Sequence, residues 1–147
     1  MLGVSVILTV KNDAAGCAET LESLLVQSRH PDEIVVVDGG STDETRLSVR
    51  SFCSRFPKLR VIDAPGANIA EGRDIATQYA DGPVIACIDA GCRASPHWLE
   101  KLVEPFERDS RTDVVAGMYE IESRTLFEEV VGLATMRGQL SPVDPAT

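Results

Sequence analysis

The segment "EIVVVDGGSTDET" (residues 33–45) decides how the rest of the chain is read. Its first half is a run of β-branched apolar residues, too short and too continuous for an amphipathic helix, so it reads as a strand buried on both faces. The run ends on an acid, Asp38, followed by Gly39, Gly40 and the polar series Ser41 to Glu44. Glycines let a ligand approach the backbone, and Ser41 with Glu44 three positions on fits a capping box opening a helix. A buried strand, a tight turn and a capped helix therefore follow one another within a few residues.

The same unit recurs outward in both directions. "VSVILTV" (4–10), "LRVID" (59–63) and "PVIACID" (83–89) are further buried-strand runs, and "DVVAGMYEI" (113–121) reads as a fifth. Between them lie helical patterns. "CAETLESLLVQS" (17–28) places Ala18, Leu21, Leu24 and Leu25 on one face. "STDETRLSVRSFCSRF" (41–56) supplies Leu47, Val49, Phe52 and Phe56. "NIAEGRDIATQYA" (68–80) opens on an Asn cap and carries Ile69, Ala76 and Tyr79. "SPHWLEKLVEPFER" (95–108) has Ser at the cap and Pro at the first helical position, with Trp98, Leu99 and Leu102 as core and His97, like His30, at the surface. "TLFEEVVGLATMRG" (125–138) reads as a last helix boxed by Thr125 and Glu128. Strand–helix alternation with fully apolar strands predicts an α/β fold, a mostly parallel Rossmann-like sheet with helices on both faces.

In such sheets ligands bind beyond the carboxyl ends of the strands, where the strand order switches. Thr9 stands at the end of the first strand with Lys11, Asn12 and Asp13 after it, and the next three end at Asp38, Asp63 and Asp89. One acid there would be an ordinary turn residue. Four on one rim point to a site, with Asp13 and Asp63 also readable as turn formers. The segment around Asp38 matches neither a GxGxxG nor a Walker loop. Asp38 can accept a hydrogen bond from a nucleobase N–H, while a tight turn into a helix alone would account for Gly39, Gly40 and Ser41. Arg73 reads either as a solvated base near Glu71 and Asp74 or as a cation leaning over the strand ends.

Composition bounds the alternatives. The chain has 147 residues, one domain's worth, with 44% hydrophobic and 25% charged residues, which is ordinary globular composition. Fourteen basic against 23 acidic residues leave a net charge of −9, which speaks against a non-specific nucleic-acid binder. No apolar run reaches the roughly 18 residues of a membrane span. The N-terminus runs straight into a strand without a basic leader or cleavage site. Cys17, Cys53, Cys87 and Cys92 form no CxxC pair and read as reduced thiols, a disulfide or zinc site being the minor reading. The expected location is the cytoplasm, in solution or against a membrane.

Taken in order and spacing, "VSVILTVKND", "TLESLLVQS", "EIVVVDGGSTDET", "ANIAEGRDIA", "ADGPVIACIDAG" and "PHWLEKLV" resemble the nucleotide-binding half of family-two glycosyltransferases with the GT-A fold, over residues 3–120. The resemblance implies transfer of a sugar from a nucleotide-diphosphate donor with inversion, usually with magnesium or manganese on the diphosphate. It implies that Thr9, Val10 and Asp38 hold the nucleoside, that Arg73 faces the nucleotide as the arginine of an "ARN" motif, and that Asp89 is the first acid of a DXD motif and a metal ligand. Gly40 lies beside Asp38 as a further contact. The sequence departs from the family pattern in four places. "PxYN" reads "TVKN", "DDGS" reads "DGGS", "ARN" reads "GRD", and DXD reads "DAG" with Gly91 in the second acid's place.

Asp89 then has three readings. It binds a divalent cation that bridges it to the phosphates. Or Arg73 or Lys11 neutralises the diphosphate and Asp89 meets a sugar or ribose hydroxyl. Or it shapes a turn. The family's acceptor half, with a catalytic base often in an "ED" motif, has no counterpart before "LSPVDPAT". Glu128-Glu129 lies too early, and the catalytic residue is unassigned. The expectation is one domain over 1–147, with a core to about residue 120 and the start of an acceptor region or an extension in 121–147. An apolar face of Leu126, Phe127, Val130, Val131 and Ala134 implies a homo-oligomer. A nucleotide-sugar-binding module without transferase activity and a nucleotidyltransferase are the rival functions.

Overall fold

A computed structural model describes residues 2–120 together with 125, 126, 130 and 131. Four strands, β1 (Val4–Val10), β2 (Glu33–Asp38), β3 (Leu59–Asp63) and β4 (Val84–Cys87), alternate with helices α1 (Ala14–Leu25), α2 (Thr45–Ser51), α3 (Ile69–Tyr79) and α4 (Trp98–Arg108). The strands form one parallel sheet in the order β3-β2-β1-β4, with Val10 opposite Asp38 and Asp38 opposite Asp63. The α/β architecture is the one the apolar runs predict.

Alternation along the strands sends side chains to two cores. Val4, Val6, Leu8 and Val10 of β1 pack with Ile34 and Val36 of β2 against Cys17, Leu21 and Leu24 of α1, Val49 of α2, and Leu99 and Val103 of α4. Ile7, Val35 and Val37 point to the other face and meet Ala76 of α3. Each buried Val or Leu contributes about 1.5–3 kcal/mol, which is why β2, buried along its whole length, is read so easily from sequence. The chain divides into two compact units, Met1–Asp113 and Val114–Thr147, and the sheet belongs to the first. Among the described residues no helix is long and apolar enough to cross a membrane. All four cysteines carry free thiols. Cys17 is pushed up to about 12 by burial, with Asp13 and Asp38 adding to the effect.

Several boundaries differ from the sequence expectation. Helix α1 starts earlier, at Ala14, because the Asp13 carboxylate accepts from the Gly16 N–H and caps it. Ser41 does not cap α2: the Asp38 carboxylate takes both its N–H (2.8 Å) and its hydroxyl (2.6 Å), and the helix starts at Thr45 after an uncapped Glu44. Ser95 and Pro96 precede α4 rather than open it. The Ser95 carbonyl accepts from the Gln27 side chain and, in a single turn, from the Trp98 N–H, while the Pro96 carbonyl takes the Ser28 N–H; the regular helix begins only at Trp98. Asn68 caps α3 as expected, in a reciprocal box with Glu71.

Leu47, Ile69 and Tyr79, read as apolar positions of their helices, are exposed. Residues 113–120 form no strand, and 121 lies outside the described residues. Val114 and Met118 there are exposed: apolar content favours a strand only where a neighbouring strand supplies the ladder. In the second unit Leu126, Val130 and Val131 are helical and exposed, whereas Phe127 and Ala134 of the expected apolar face lie outside the described residues.

Candidate functional site

With all four strands parallel, their carboxyl ends share one edge. β1 leads to β2 and β3 on one side, and the chain then crosses back to place β4 on the other side of β1. The switch in strand order therefore lies between β1 and β4, where such sheets open a crevice.

Asp38 ends β2 and is 1% exposed. One carboxylate oxygen accepts both Ser41 donors, and the other accepts from the Arg46 Nε at 3.1 Å. Burial works against the charge, yet the Ser41 hydrogen bonds and Arg46 outweigh it and hold the carboxyl below its ordinary value. Arg46 also reaches Asp63 at 3.0 Å, and Arg50 meets Asp63 at 3.5 Å. The ends of β2 and β3 are thus tied together by alternating charges. Arg46 escaped the sequence reading. Its only signal there is its place in the first turn of the helix that follows Asp38.

The loop after β1 is fastened to the loop after β2. The Asn12 N–H donates to the Ser41 hydroxyl at 2.9 Å, the Asn12 side-chain oxygen accepts from the Thr42 N–H at 2.8 Å, and the Asp13 N–H donates to the Thr45 hydroxyl at 2.9 Å. Asn12 takes the left-handed conformation, φ 53°, which Asn tolerates better than most residues. Gly40 has φ 90°, and an added Cβ would lie 3.1 Å from the Pro65 Cα. The turn at 39–41 thus requires glycine at 40 in both conformation and space. Val10 is buried against the α1 side, while Thr9 points to the α3 side. There a Cβ on Gly72 would meet the Thr9 Cγ2 at 2.7 Å. Reading "GRD" instead of "ARN" therefore has a local reason: only glycine lets the first turns of α3 approach β1 so closely.

That approach carries Arg73 to the end of β4. Its guanidinium Nη2 donates to the Asp89 carboxylate, with side chains 42% and 50% exposed. Arg73 also reaches Cys87, whose thiol is raised by burial, with Arg73 opposing and Asp89 adding to the shift. Gly91, with φ 86°, turns the chain beside Asp13 and donates its N–H to the Thr20 hydroxyl at 3.0 Å. Thr9, Val10, Asp38, Gly40, Arg73 and Asp89 therefore all stand on the same sheet edge, as two clusters: Asp38 with Gly40 at the end of β2, and Arg73 with Asp89 at the switch point.

Magnesium or manganese would need several oxygen ligands. Among the described residues no group of three or more His, Cys, Asp or Glu could hold a metal. Asp89, the acid expected to be the ligand, is committed to Arg73, and Gly91 supplies no side chain. Among the described residues the donors present do not fit a cation held by protein side chains alone.

A groove of ≈ 520 Å³ lies at the opposite sheet edge, lined by Ser5, Glu33, Lys58, Arg60, Asp81 and Pro83 among others. Its acid is spoken for. Glu33 accepts from the Ser5 hydroxyl, from the N–H groups of Asp81 and Gly82 and from Arg60. Burial opposes its charge, and those donors together hold the carboxyl below its ordinary value. Concavity there comes with a saturated structural network, and the amino ends of parallel strands are not where such sheets bind ligands.

The chain matches the family model described as glycosyl transferase family 2 over residues 5–139. It is 29% identical over 136 residues to an uncharacterized glycosyltransferase of Nostoc sp., covering 92% of this chain and 41% of that protein. It is 32% identical over 117 residues to validoxylamine A glucosyltransferase of Streptomyces hygroscopicus subsp. limoneus, covering 78% of this chain and 26% of that one. The mannosyltransferase PcManGT of Pyrobaculum calidifontis, solved with GDP-Man and Mn2+, superposes with a TM-score of 0.66 at 27% identity, over 71% of this chain and 32% of its own. S. aureus TarS 1–349 with UDP-GlcNAc has the same fold, with a TM-score of 0.66 at 22% identity over 81% of this chain and 38% of that one. The chain thus spans less than half the length of each of these proteins. The parallel sheet, the acid-lined carboxyl edge and the match over most of the sequence agree: this chain belongs to glycosyl transferase family 2.

Proposed function

We propose that this chain is the donor-binding part of a cytoplasmic glycosyltransferase. It binds a nucleotide-diphosphate sugar across the carboxyl edge of the sheet, for inverting transfer of the sugar to an acceptor hydroxyl. The observation that carries this reading is the meeting of Arg73 with Asp89 at the switch between β1 and β4, next to a β2 end built around Asp38 and Gly40. Thr9, Val10, Asp38 and Gly40 form the nucleoside side of the site. Asp38 serves it as the acid at the base, with Ser41 and Arg46 holding its carboxylate ionised. Arg73 and Asp89 form the sugar and diphosphate side.

Inversion needs one displacement at the anomeric carbon. A base takes the acceptor proton, and positive charge stabilises the leaving diphosphate. No base is assigned among the described residues, and an acceptor-binding region beyond this sheet completes the reaction. Magnesium or manganese, which the family resemblance implies with Asp89 as ligand, is supported by PcManGT but not by the donors of this edge. The exposed Leu126, Val130 and Val131 support self-association through residues 120–140.

A thermal-shift panel of nucleotide-sugars, followed by product analysis, tests the reading. Stabilisation by donors of one base with release of nucleoside diphosphate is expected. Release of pyrophosphate would make the chain a nucleotidyltransferase. Binding without turnover, even when acceptor and the remainder of a full-length relative are supplied, would make it a binding module.

A further inference from the structure

Among the described residues every lysine and arginine except Lys11, Lys58 and Arg93 lies in a salt bridge. Lys58 lines the groove at the opposite edge. Lys11 follows β1 directly, at the carboxyl edge of the sheet, with its stem beside Gly39. It is exposed, and its side chain makes no hydrogen bond or ion pair among the described residues. The acids that follow the strands at this edge are already occupied: Asp38 and Asp63 by Arg46, Asp63 also by Arg50, Asp89 by Arg73, and Asp13 by the first turn of α1. In a chain of net charge −9, this edge keeps an uncommitted cation where a carboxylate partner would have been easy to supply.

The neighbour of Lys11 explains why it stays free. A Cβ built on Gly39 would lie 3.7 Å from the Lys11 Cβ and Cδ and 2.9 Å from the Ala67 carbonyl oxygen. An acid at 39, as in "DDGS", would press on that carbonyl and lie beside the lysine stem as a ready partner. The two departures "TVKN" and "DGGS" are therefore one feature in space: a lysine gained, and the acid that would neutralise it absent. A diphosphate at this edge needs positive charge, and among the described residues no group of three or more ligating side chains would hold a cation there.

We propose that Lys11 carries the charge of the bound diphosphate, so that nucleoside diphosphates bind this chain without a divalent metal. The proposal rests on the reading of this edge as a nucleotide-diphosphate site. The ammonium reaches from the Gly39 side to donate to the phosphate oxygens, and the Arg73–Asp89 pair stays intact. Arg93, the third unpaired cation, sits on a loop tied back to α1 through the Gly91 and Ala94 N–H groups and has no role in this assignment.

The test is calorimetric titration of the 147-residue chain with UDP, GDP, ADP, CDP and dTDP, each in EDTA and in manganese. Wild type is expected to bind one or more of them equally in both. Lys11→Ala should weaken that binding roughly tenfold or more, and should erase the preference for the diphosphate over the corresponding monophosphate. Lys11→Arg should keep most of the affinity. Lys58→Ala, which makes the same change in net charge at the opposite edge, should leave it unchanged. Binding that appears only with manganese overturns the proposal while the donor-site reading stands. So does a loss in Lys11→Ala no larger than in Lys58→Ala, or a loss confined to Arg93→Ala. If no nucleotide binds wild type under either condition, the donor-site reading fails and the proposal with it.

Discussion

Strand β2 begins and ends on a buried carboxylate, and its two ends have opposite designs. At the amino end Glu33 is held by the Ser5 hydroxyl, two backbone N–H groups and Arg60. Arg60 goes on to bind the Tyr79 carbonyl and Asp81, which ties β1, β3 and the α3–β4 connection together. At the carboxyl end Asp38 has a hydroxyl, one N–H and Arg46. Around it, however, are a positive-φ glycine, a second glycine beside Lys11, and the switch in strand order. The same chemistry closes one end and organises the other. What separates them is topology: at the carboxyl ends the connections diverge on either side of β1, where such sheets open a crevice.

The largest expected effect falls at the closed end. Glu33→Ala leaves Arg60, the Ser5 hydroxyl and two N–H groups without their acceptor and should lower stability by about 2–4 kcal/mol, read by urea denaturation. Nucleotide affinity of the folded fraction should not change; if it does, the two ends are not separate in role. Asp38→Ala comes next, with a loss of about 1–3 kcal/mol in nucleotide binding as well as a loss of stability. Unchanged affinity in calorimetry with an intact fold would remove Asp38 from the site.

Acid should weaken both ends. Each carboxyl is held below its ordinary value, 4.5 for Glu33 and 3.8 for Asp38. Between the folded and unfolded values the unfolded chain binds more protons. The stabilisation is therefore complete above the unfolded values and is lost as pH falls through the folded ones. Melting temperature should drop as pH passes below about 4.5, and Glu33→Gln, which cannot titrate, should show a flatter acid limb.

Glycines sharpen the same contrast. Gly40→Ala, at φ 90° with Pro65 Cα 3.1 Å from the new Cβ, should cost about 1–2 kcal/mol. Gly3→Ala at the amino edge, with ordinary φ and Pro83 Cδ at 3.4 Å, should cost close to nothing. Equal costs would mean that the carboxyl-edge turn is no more constrained than the other. The smallest effect concerns the second unit: light scattering at high concentration should show a dimer or larger species, and Val130→Asp should reduce it.

The parts of this protein legible in its sequence are those decided within a few residues or by bulk apolarity. Strands β1 and β2 are continuous β-branched runs, and such runs have no stable place except inside a sheet. Asn68 and Glu71 are three positions apart and satisfy each other, so the α3 cap could be read directly. That Asp38 and Asp89 share one edge followed from the alternation of strands and helices, since parallel strands put their carboxyl ends together, whereas the place of Arg73 there was settled by its contact with Asp89.

Tertiary structure decided what no short window contains. Ser41 and Glu44 have capping-box spacing, yet a buried carboxylate three residues earlier is the stronger acceptor and takes the serine. Residues 113–120 have strand composition, yet a strand exists only with a partner. Arg46 and Glu33 carry no local sign of their roles, because ion pairs at a sheet edge are set by the register of strands far apart in the chain. The freedom of Lys11 is of the same kind. Sequence places a lysine after β1, but its lack of a partner depends on Gly39 lying beside it and on the strand-end acids being held by other residues. Local sequence sets which conformations a segment prefers, whereas the partner of a charge is set by which segments the sheet brings within a few ångströms of it.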